Sequence, residues 1–351
     1  FSLKNTFFYF RFIIFAYLLK YLILKDKNFA KMFISFLLLT LVIISLDALI
    51  EYFRGSHWLF DKTSYSENDN NRISGLFDEE YILGSFIIAL FPTALIIYFK
   101  KKKIFNKSHL LFLFFLIIVF IFTIMITGER SSFVKLFLLL LTVILFTSIL
   151  GSLKKKIGIL IVTFSIILFT IVSQPKLNER LFFHTLDLLL QNNDTNKIDR
   201  NLSILEHLKQ IEVKDFTYFS KEHKDHAIVS IRMFNDSKIF GHGVKTFRFK
   251  CAEKKYYLNS RSCTTHSHGI VLTFLSEIGL IGIVFLTVIY FYLIKNIFKS
   301  NTDINKIILI SIFIYLFPLL PSGYFFNNYF SIILYTLVGI YLGFKKIYKI
   351  S

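Results

Sequence analysis

The chain has 351 residues, with 41 Lys and Arg against 23 Asp and Glu, for a formal net charge of +18. Hydrophobic residues make up 54% and charged residues 18%, where an ordinary soluble domain has about 25% charged; the balance excludes a soluble enzyme and a disordered chain. With 44 Phe, 4 Pro and 14 Gly the apolar residues form long uninterrupted runs, so the composition reads as a polytopic membrane protein, and its positive charge belongs to the loops and not to a nucleic-acid surface.

A bilayer core about 30 Å thick takes roughly 20 apolar residues in helical form. On that measure nine spans are expected, centred on residues 7–24, 33–53, 81–99, 109–127, 132–150, 157–173, 275–294, 307–321 and 329–344. Alternate connections are rich in lysine: Lys25, Lys27 and Lys31; Lys100 to Lys103 with Lys107; Lys154 to Lys156; Lys295, Lys299 and Lys306; Lys345, Lys346 and Lys349. These 17 basic residues face only Arg54, Lys62, Arg72 and Arg130 in the opposing loops 54–79, 128–131 and 322–328. The positive-inside rule makes the lysine side cytoplasmic and the long 174–268 segment external. The first span runs inward almost from residue 1, so an odd number of spans is expected ahead of it. That run carries Arg11 and Lys20 and lacks a small-residue cleavage site, so it is not a signal peptide. Three parts follow: six spans over 1–173, a loop domain over 174–268, and three spans with a basic tail over 269–351.

Within the loop, short helices are expected over 178–190, 201–213 and 224–237, the last broken by Gly241-His242-Gly243. The two cysteines, Cys251 and Cys263, both lie here. In an oxidising compartment such as the bacterial periplasm they are expected to pair, and a bridge closing so short a loop contributes roughly 3 kcal/mol.

Three sets of polar residues stand where a bland anchor has none. Arg130, in Thr127-Gly-Glu-Arg-Ser-Ser132, sits in a hairpin between two spans; a guanidinium held at the membrane surface suits a bidentate grip on phosphate, and equally serves as a snorkelling anchor. Arg232, on the helix before Gly241-His-Gly243, is by itself an ordinary surface arginine. Thr265-His-Ser-His268 precedes an apolar helical run. Residues two apart on a helix point about 200° apart, and no third ligand has suitable spacing, so a metal is not expected. A histidine at a helix start with arginines nearby has its charged form disfavoured, which suits a neutral general base; a local hydrogen bond is the plainer alternative.

Taken in order, these pieces resemble the bacterial O-antigen ligase and polymerase superfamily along essentially the whole chain. The likeness rests on Gly128-x-Arg130-Ser131 between two spans, one large late external loop, Arg232 followed by Gly241, Gly243 and Phe247, and His266-x-His268 leading into Leu-Ser-Glu-Ile-Gly-Leu-Ile-Gly over 275–282. The resemblance implies an all-α polytopic helix bundle related to class C glycosyltransferases, in a bacterial inner membrane with its active site facing the periplasm. It further implies inverting transfer of a glycan from an undecaprenyl-diphosphate donor, without metal or other cofactor. It makes Arg130 and Arg232 the diphosphate pair and His268 the residue beside the acceptor. His266 stands in reserve because Gly269 replaces the family's usual Asn. Arg72-Ile-Ser-Gly75 would line the donor groove. Two arginines can stabilise the charge that develops on a lipid diphosphate, and a neutral histidine can take the acceptor's proton. Ligation of O-antigen to lipid A core is the preferred activity. Polymerisation onto a glycan repeat unit, transfer to protein Ser or Thr, and transport of a lipid-linked glycan are the alternatives.

Overall fold

The computed structural model describes residues 2–59, 72–78, 80–101, 107–148 and 221–347, with scattered positions between 151 and 165. The expected helices over 178–190 and 201–213, and most of the span over 157–173, lie outside the described residues. Regular structure among the described residues is helical throughout. It comprises α1 (Ser2–Lys25), α2 (Lys27–Arg54), α3 (Leu83–Lys101), α4 (Lys107–Ile126), α5 (Arg130–Phe146), α6 (Lys221–Asp236), α7 (Phe247–Lys250), α8 (Ile270–Glu277), α9 (Gly279–Lys299), α10 (Asp303–Tyr315) and α11 (Asn328–Ile347). Four stretches, Thr6–Lys25, Asn28–Arg54, Gly279–Lys299 and Asn328–Ile347, are long and apolar enough to cross a membrane, as expected of a membrane protein.

Two expected spans differ in extent. The one over 275–294 starts at Gly279, whose φ of 71° turns the chain between α8 and α9. The one over 307–321 is the 13-residue α10, ending at Tyr315 ahead of Pro318 and Pro321. At 1.5 Å per residue it is about 20 Å long, short of the hydrocarbon thickness. It is apolar around nearly its whole circumference because it is the centre of the bundle, buried from Ile304 to Tyr315 almost without interruption and packed on α3, α5, α9 and α11. Thr93 of α3 donates to Ser311 of α10 at 3.2 Å, so the hydroxyls in this apolar centre satisfy each other. By contrast α9 leaves Leu280, Val284, Phe291 and Phe298 exposed, a stripe suited to lipid.

α1 and α11 run side by side in the same direction. Gly339 and Gly343, one turn apart, let the backbones close up: a Cβ on Gly339 would lie 2.9 Å from the Ala16 carbonyl oxygen, and one on Gly343 would lie 2.7 Å from Ile23 Cγ2. Among the described residues, the lysine-bearing connections after α5, α9 and α11 share one end of the bundle. Ser148, after α5, bonds to Asp303 at the start of α10, and Lys345 Nζ reaches the Tyr292 hydroxyl. At the opposite end Arg11 donates to Asn328, and the Tyr329 hydroxyl donates to the Ile82 carbonyl.

The 221–268 loop docks on that second end, where α6 packs on α8. A backbone clasp fastens it. His242 N–H and Gly243 N–H donate to the carbonyls of Ser276 (3.2 Å) and Glu277 (2.7 Å), and Leu280 N–H donates to the Lys238 carbonyl at 2.8 Å. Gly241 (φ 64°) and Gly279 (φ 71°) face each other across it, and a Cβ on Gly279 would fall 2.6 Å from Gly241 N. The Gly-x-Gly and Glu-Ile-Gly motifs thus meet as two halves of one joint. Inside the loop Cys251 and Cys263 are bridged as expected, with Cα atoms 5.2 Å apart, over a small core of Val229, Met233, Phe247 and Tyr256.

Candidate functional site

The docked loop brings four histidines together. His266 and His268 have ring centroids 4.0 Å apart; His268 stacks on His226 at 5.0 Å and lies 5.6 Å from His223, both on α6. His268 takes a φ of 52°, a left-handed conformation that a side chain with Cβ adopts at a cost. Its carbonyl accepts the Ser322 N–H at 3.2 Å, which fixes the chain there against the 318–321 turn. A cavity of about 40 Å³ opens beside it, lined by His223, Ser267, His268, Val271, Leu272 and the segment from Pro318 to Pro321.

Burial pushes the His268 pKa down to about 3, with the charges of His266, His226 and His223 acting in the same direction. His266 falls to about 4, first through burial and then through His226 and Arg248, with a backbone contact to Ser322 weakly opposing. The low basicity expected of this motif is present, but burial and the crowding of imidazoles lead its causes. Among the described residues no group of three or more His, Cys, Asp and Glu is arranged to hold a metal ion. His223 and His226 escape sequence reasoning because some forty residues separate them from His266; the available signal was their i, i+3 spacing, which places both on one face of a helix.

Glu277 closes α8 beneath this group. Its Oε2 accepts the Lys245 N–H at 2.9 Å and the Tyr324 hydroxyl, and its Oε1 accepts the Phe247 N–H at 3.1 Å. Burial raises its carboxyl above the ordinary range while these donors pull the other way. The Tyr324 oxygen also accepts the Lys245 N–H at 2.7 Å, and its ring lies 5.8 Å from His266. Lys245 is held at φ 65° by these bonds.

The three arginines named in the sequence fall in different settings. Arg232 is exposed, and its guanidinium donates to the Tyr256 and Tyr257 carbonyls at 3.3 Å each, bracing α6 to the disulfide loop. Arg130 is half-buried as the first residue of α5. Its neighbour Glu129 is buried and accepts from Gly84 N (2.7 Å), Ser85 N (3.2 Å), Ser85 Oγ (3.1 Å) and Ser132 Oγ (2.6 Å). Burial raises the Glu129 carboxyl, while the donors and the charge of Arg72 oppose that shift. Arg72 lies over the Tyr81 ring at 4.9 Å, and the Ile73, Ser74 and Gly75 that follow it are buried. Gly75 N–H donates to Glu51 at 2.7 Å, and a Cβ at Gly75 would meet Asp47 Oδ2 at 2.9 Å. Of Arg72-Ile-Ser-Gly75, then, Arg72 is held half-buried over Tyr81, and the rest ties the segment to α2. Glu129, Asp47 and Glu51 were passed over in the sequence because acids within apolar runs carry no sign of their partners.

No family model, no curated protein and no solved structure matches this chain.

Proposed function

We propose that the chain transfers a glycan from an undecaprenyl-diphosphate donor to an acceptor hydroxyl at the outer face of a bacterial inner membrane, by one inverting displacement and with lipid A core as the preferred acceptor. The observation that carries this reading is a half-buried His268 in a left-handed turn, packed among three other imidazoles that disfavour its charged form. It borders a cavity at the bundle end opposite the lysine-rich connections. A neutral imidazole accepts the proton of the acceptor hydroxyl as its oxygen bonds to the anomeric carbon, and the bond from that carbon to the diphosphate breaks. Cationic side chains at the same end stabilise the charge on the departing diphosphate. The motif resemblance supplies the substrate class, and the chemistry asks only for a base, cations and access from lipid. A transporter would hold its charges at mid-membrane; Arg11 bonds to Asn328 at the loop-bearing end and Lys20 lies over Tyr17, while Lys135 is buried in α5 and Asp47 and Glu51 in α2, so transport is the alternative that the transfer assay decides against.

The test is transfer of labelled lipid-linked glycan by purified protein to lipid A core, with a repeat-unit acceptor in parallel. His268→Ala should lower the rate by about 10²-fold to 10⁴-fold, the usual contribution of a general base, while donor binding survives. Loss in His266→Ala with His268→Ala unaffected exchanges the two roles, and full activity in both variants refutes base catalysis from this motif.

A further inference from the structure

Three cations from three separate elements lie within electrostatic reach around Lys245, which is bonded to Glu277 and Tyr324 beside His266. Lys245 sits in the turn after the clasp, its N–H bonded to Glu277 and to the Tyr324 hydroxyl. Arg248 follows three residues later on α7, close enough to act electrostatically on His266, Glu277, Tyr324 and Lys245. Arg11 comes from α1 and is fixed by Asn328, four residues beyond Tyr324, with its guanidinium 4.8 Å over the Phe12 ring. The short 324–328 segment therefore holds Lys245 at one end and Arg11 at the other.

Two features set this group apart from solvated surface charge. Lys245 has no glycine's freedom, yet it is kept at φ 65° by a buried carboxylate and a phenol, a backbone strain that fixes where its side chain leaves the turn. Among the described residues the carboxylate beneath the cluster is Glu277, which already receives two backbone N–H groups and a hydroxyl and leaves three positive charges above it. Like charges gathered in one place raise each other's energy unless an anion joins them. Arg11 and Arg248 are exposed and Lys245 is half-buried, so the cluster is open to a ligand.

From this geometry we infer that Arg11, Lys245 and Arg248 form a seat for a phosphate or diphosphate group on the Tyr324 and His266 side of the histidine group. It is a different cation set from Arg130 and Arg232. Two guanidinium forks and one ammonium suit the several oxygens of a diphosphate, and the exposed Phe8 and Ile14, three residues either side of Arg11 on α1, supply an apolar face along which a lipid chain attached to that headgroup would run. The identity of the diphosphate as a lipid-linked donor rests on the proposed function; the seat itself does not.

The experiment uses the full chain in micelles of zwitterionic detergent, with inorganic pyrophosphate and farnesyl diphosphate as separate probes and binding read by calorimetry without turnover. Pyrophosphate should bind with an affinity that falls steeply with salt. Lys245→Gly should weaken it at least 10-fold while leaving thermal stability equal or higher, because glycine adopts that φ freely. Arg248→Gln should weaken it similarly, and Arg261→Ala, exposed on the disulfide loop, should leave it unchanged. Tighter binding of farnesyl diphosphate than of pyrophosphate assigns the seat to a lipid headgroup, and equal binding assigns it to a free anion. Unchanged binding in Lys245→Gly and Arg248→Gln, or equal weakening in Arg261→Ala, overturns the seat. Protein that binds at the seat but transfers nothing refutes the transfer reading alone; protein that transfers while its binding ignores Lys245 and Arg248 refutes the seat alone.

Discussion

Gly279→Ala tests whether the clasp holds the histidine loop on the bundle. The new Cβ would lie 2.6 Å from Gly241 N and from the Ile239 carbonyl oxygen, and 2.7 Å from Ile239 C. All three are backbone atoms, so no side chain can swing aside. A φ of 71° costs a residue with Cβ about 1 to 2 kcal/mol. Separating the strands of the joint also weakens Leu280 N–H to Lys238 and Gly243 N–H to Glu277, at about 1 kcal/mol each. The sum is about 3 to 4 kcal/mol, enough to raise the opening of the loop more than about 100-fold at 1.4 kcal/mol per decade. Hydrogen exchange in micelles should show that loss of protection at Gly243, Lys245 and Phe247, with α10 and α11 unchanged. Gly55 separates the two parts of the cost. It has φ 72° and nothing within 4 Å of its notional Cβ, so Gly55→Ala carries only the conformational part, about 1 to 2 kcal/mol. Equal protection of the loop in Gly279→Ala and wild type would refute the clasp.

Other outcomes follow from the same contacts. Gly343→Ala pushes a methyl to 2.7 Å from Ile23 Cγ2 and should cost about 1 to 3 kcal/mol in thermal unfolding; Ile23→Ala in the same chain should recover part of it, and additive losses would place the helices farther apart. Removing the bridge with Cys251→Ala and Cys263→Ala should cost roughly 3 kcal/mol and expose the 251–263 loop to protease, whereas thiols that react with an impermeant maleimide in unreduced cells would show the bridge absent. His266 and His268 are depressed from 6.5 to about 4 and about 3, so the unfolded chain takes up protons below pH 6.5 that the folded chain refuses. Their contribution to stability is therefore complete above pH 6.5 and is lost as pH falls, at up to about 1.4 kcal/mol per unit per histidine. The groups facing them are His223, His226, Arg248 and Tyr324. Unfolding temperature should drop between pH 7 and pH 5 in wild type and less in the His266→Gln, His268→Gln double variant; identical pH profiles would refute the lowered basicity of the two imidazoles.

Long apolar runs made most of the helices legible, because a helix in lipid needs little beyond length and hydrophobicity. α10 was misjudged for the same reason: a run buried by protein on every side is as apolar as one facing lipid, and only Pro318 and Pro321 marked its early end. The alternation of lysine-rich loops anticipated that the regions near Ser148, Asp303, Tyr292 and Lys345 share one end of the bundle, as their hydrogen bonds require. The site was legible only where its residues are close in sequence. His266 and His268 could be singled out, and the Cys251–Cys263 bridge expected. The convergence of Arg11, Lys245 and Arg248 depends on contacts spanning 79 residues in one bond, Lys245 to Tyr324, and 317 in another, Arg11 to Asn328. Spacing along a chain has no means of expressing that.

The histidines and the cations constrain each other in a way that bears on the proposed chemistry. Arg248 helps keep His266 neutral in the empty protein, because a second positive charge beside a guanidinium is disfavoured. A diphosphate seated among Arg11, Lys245 and Arg248 would cancel that repulsion and make His266 a stronger base once the donor is in place. Burial is the larger cause of the low basicity and an anion does not remove it, so the shift is partial. Proton transfer is most effective when the base's pKa approaches the operating pH, so an upward shift of His266 from about 4 favours it as a base beside His268. On this reasoning the pH at which transfer is half-maximal should lie higher in the donor complex than in the free protein. Arg248→Gln should narrow the difference by raising the free-protein value, as followed by histidine ring NMR signals with and without pyrophosphate. Signals that titrate at the same pH in both states would separate the cation cluster from the base and leave each to be tested independently.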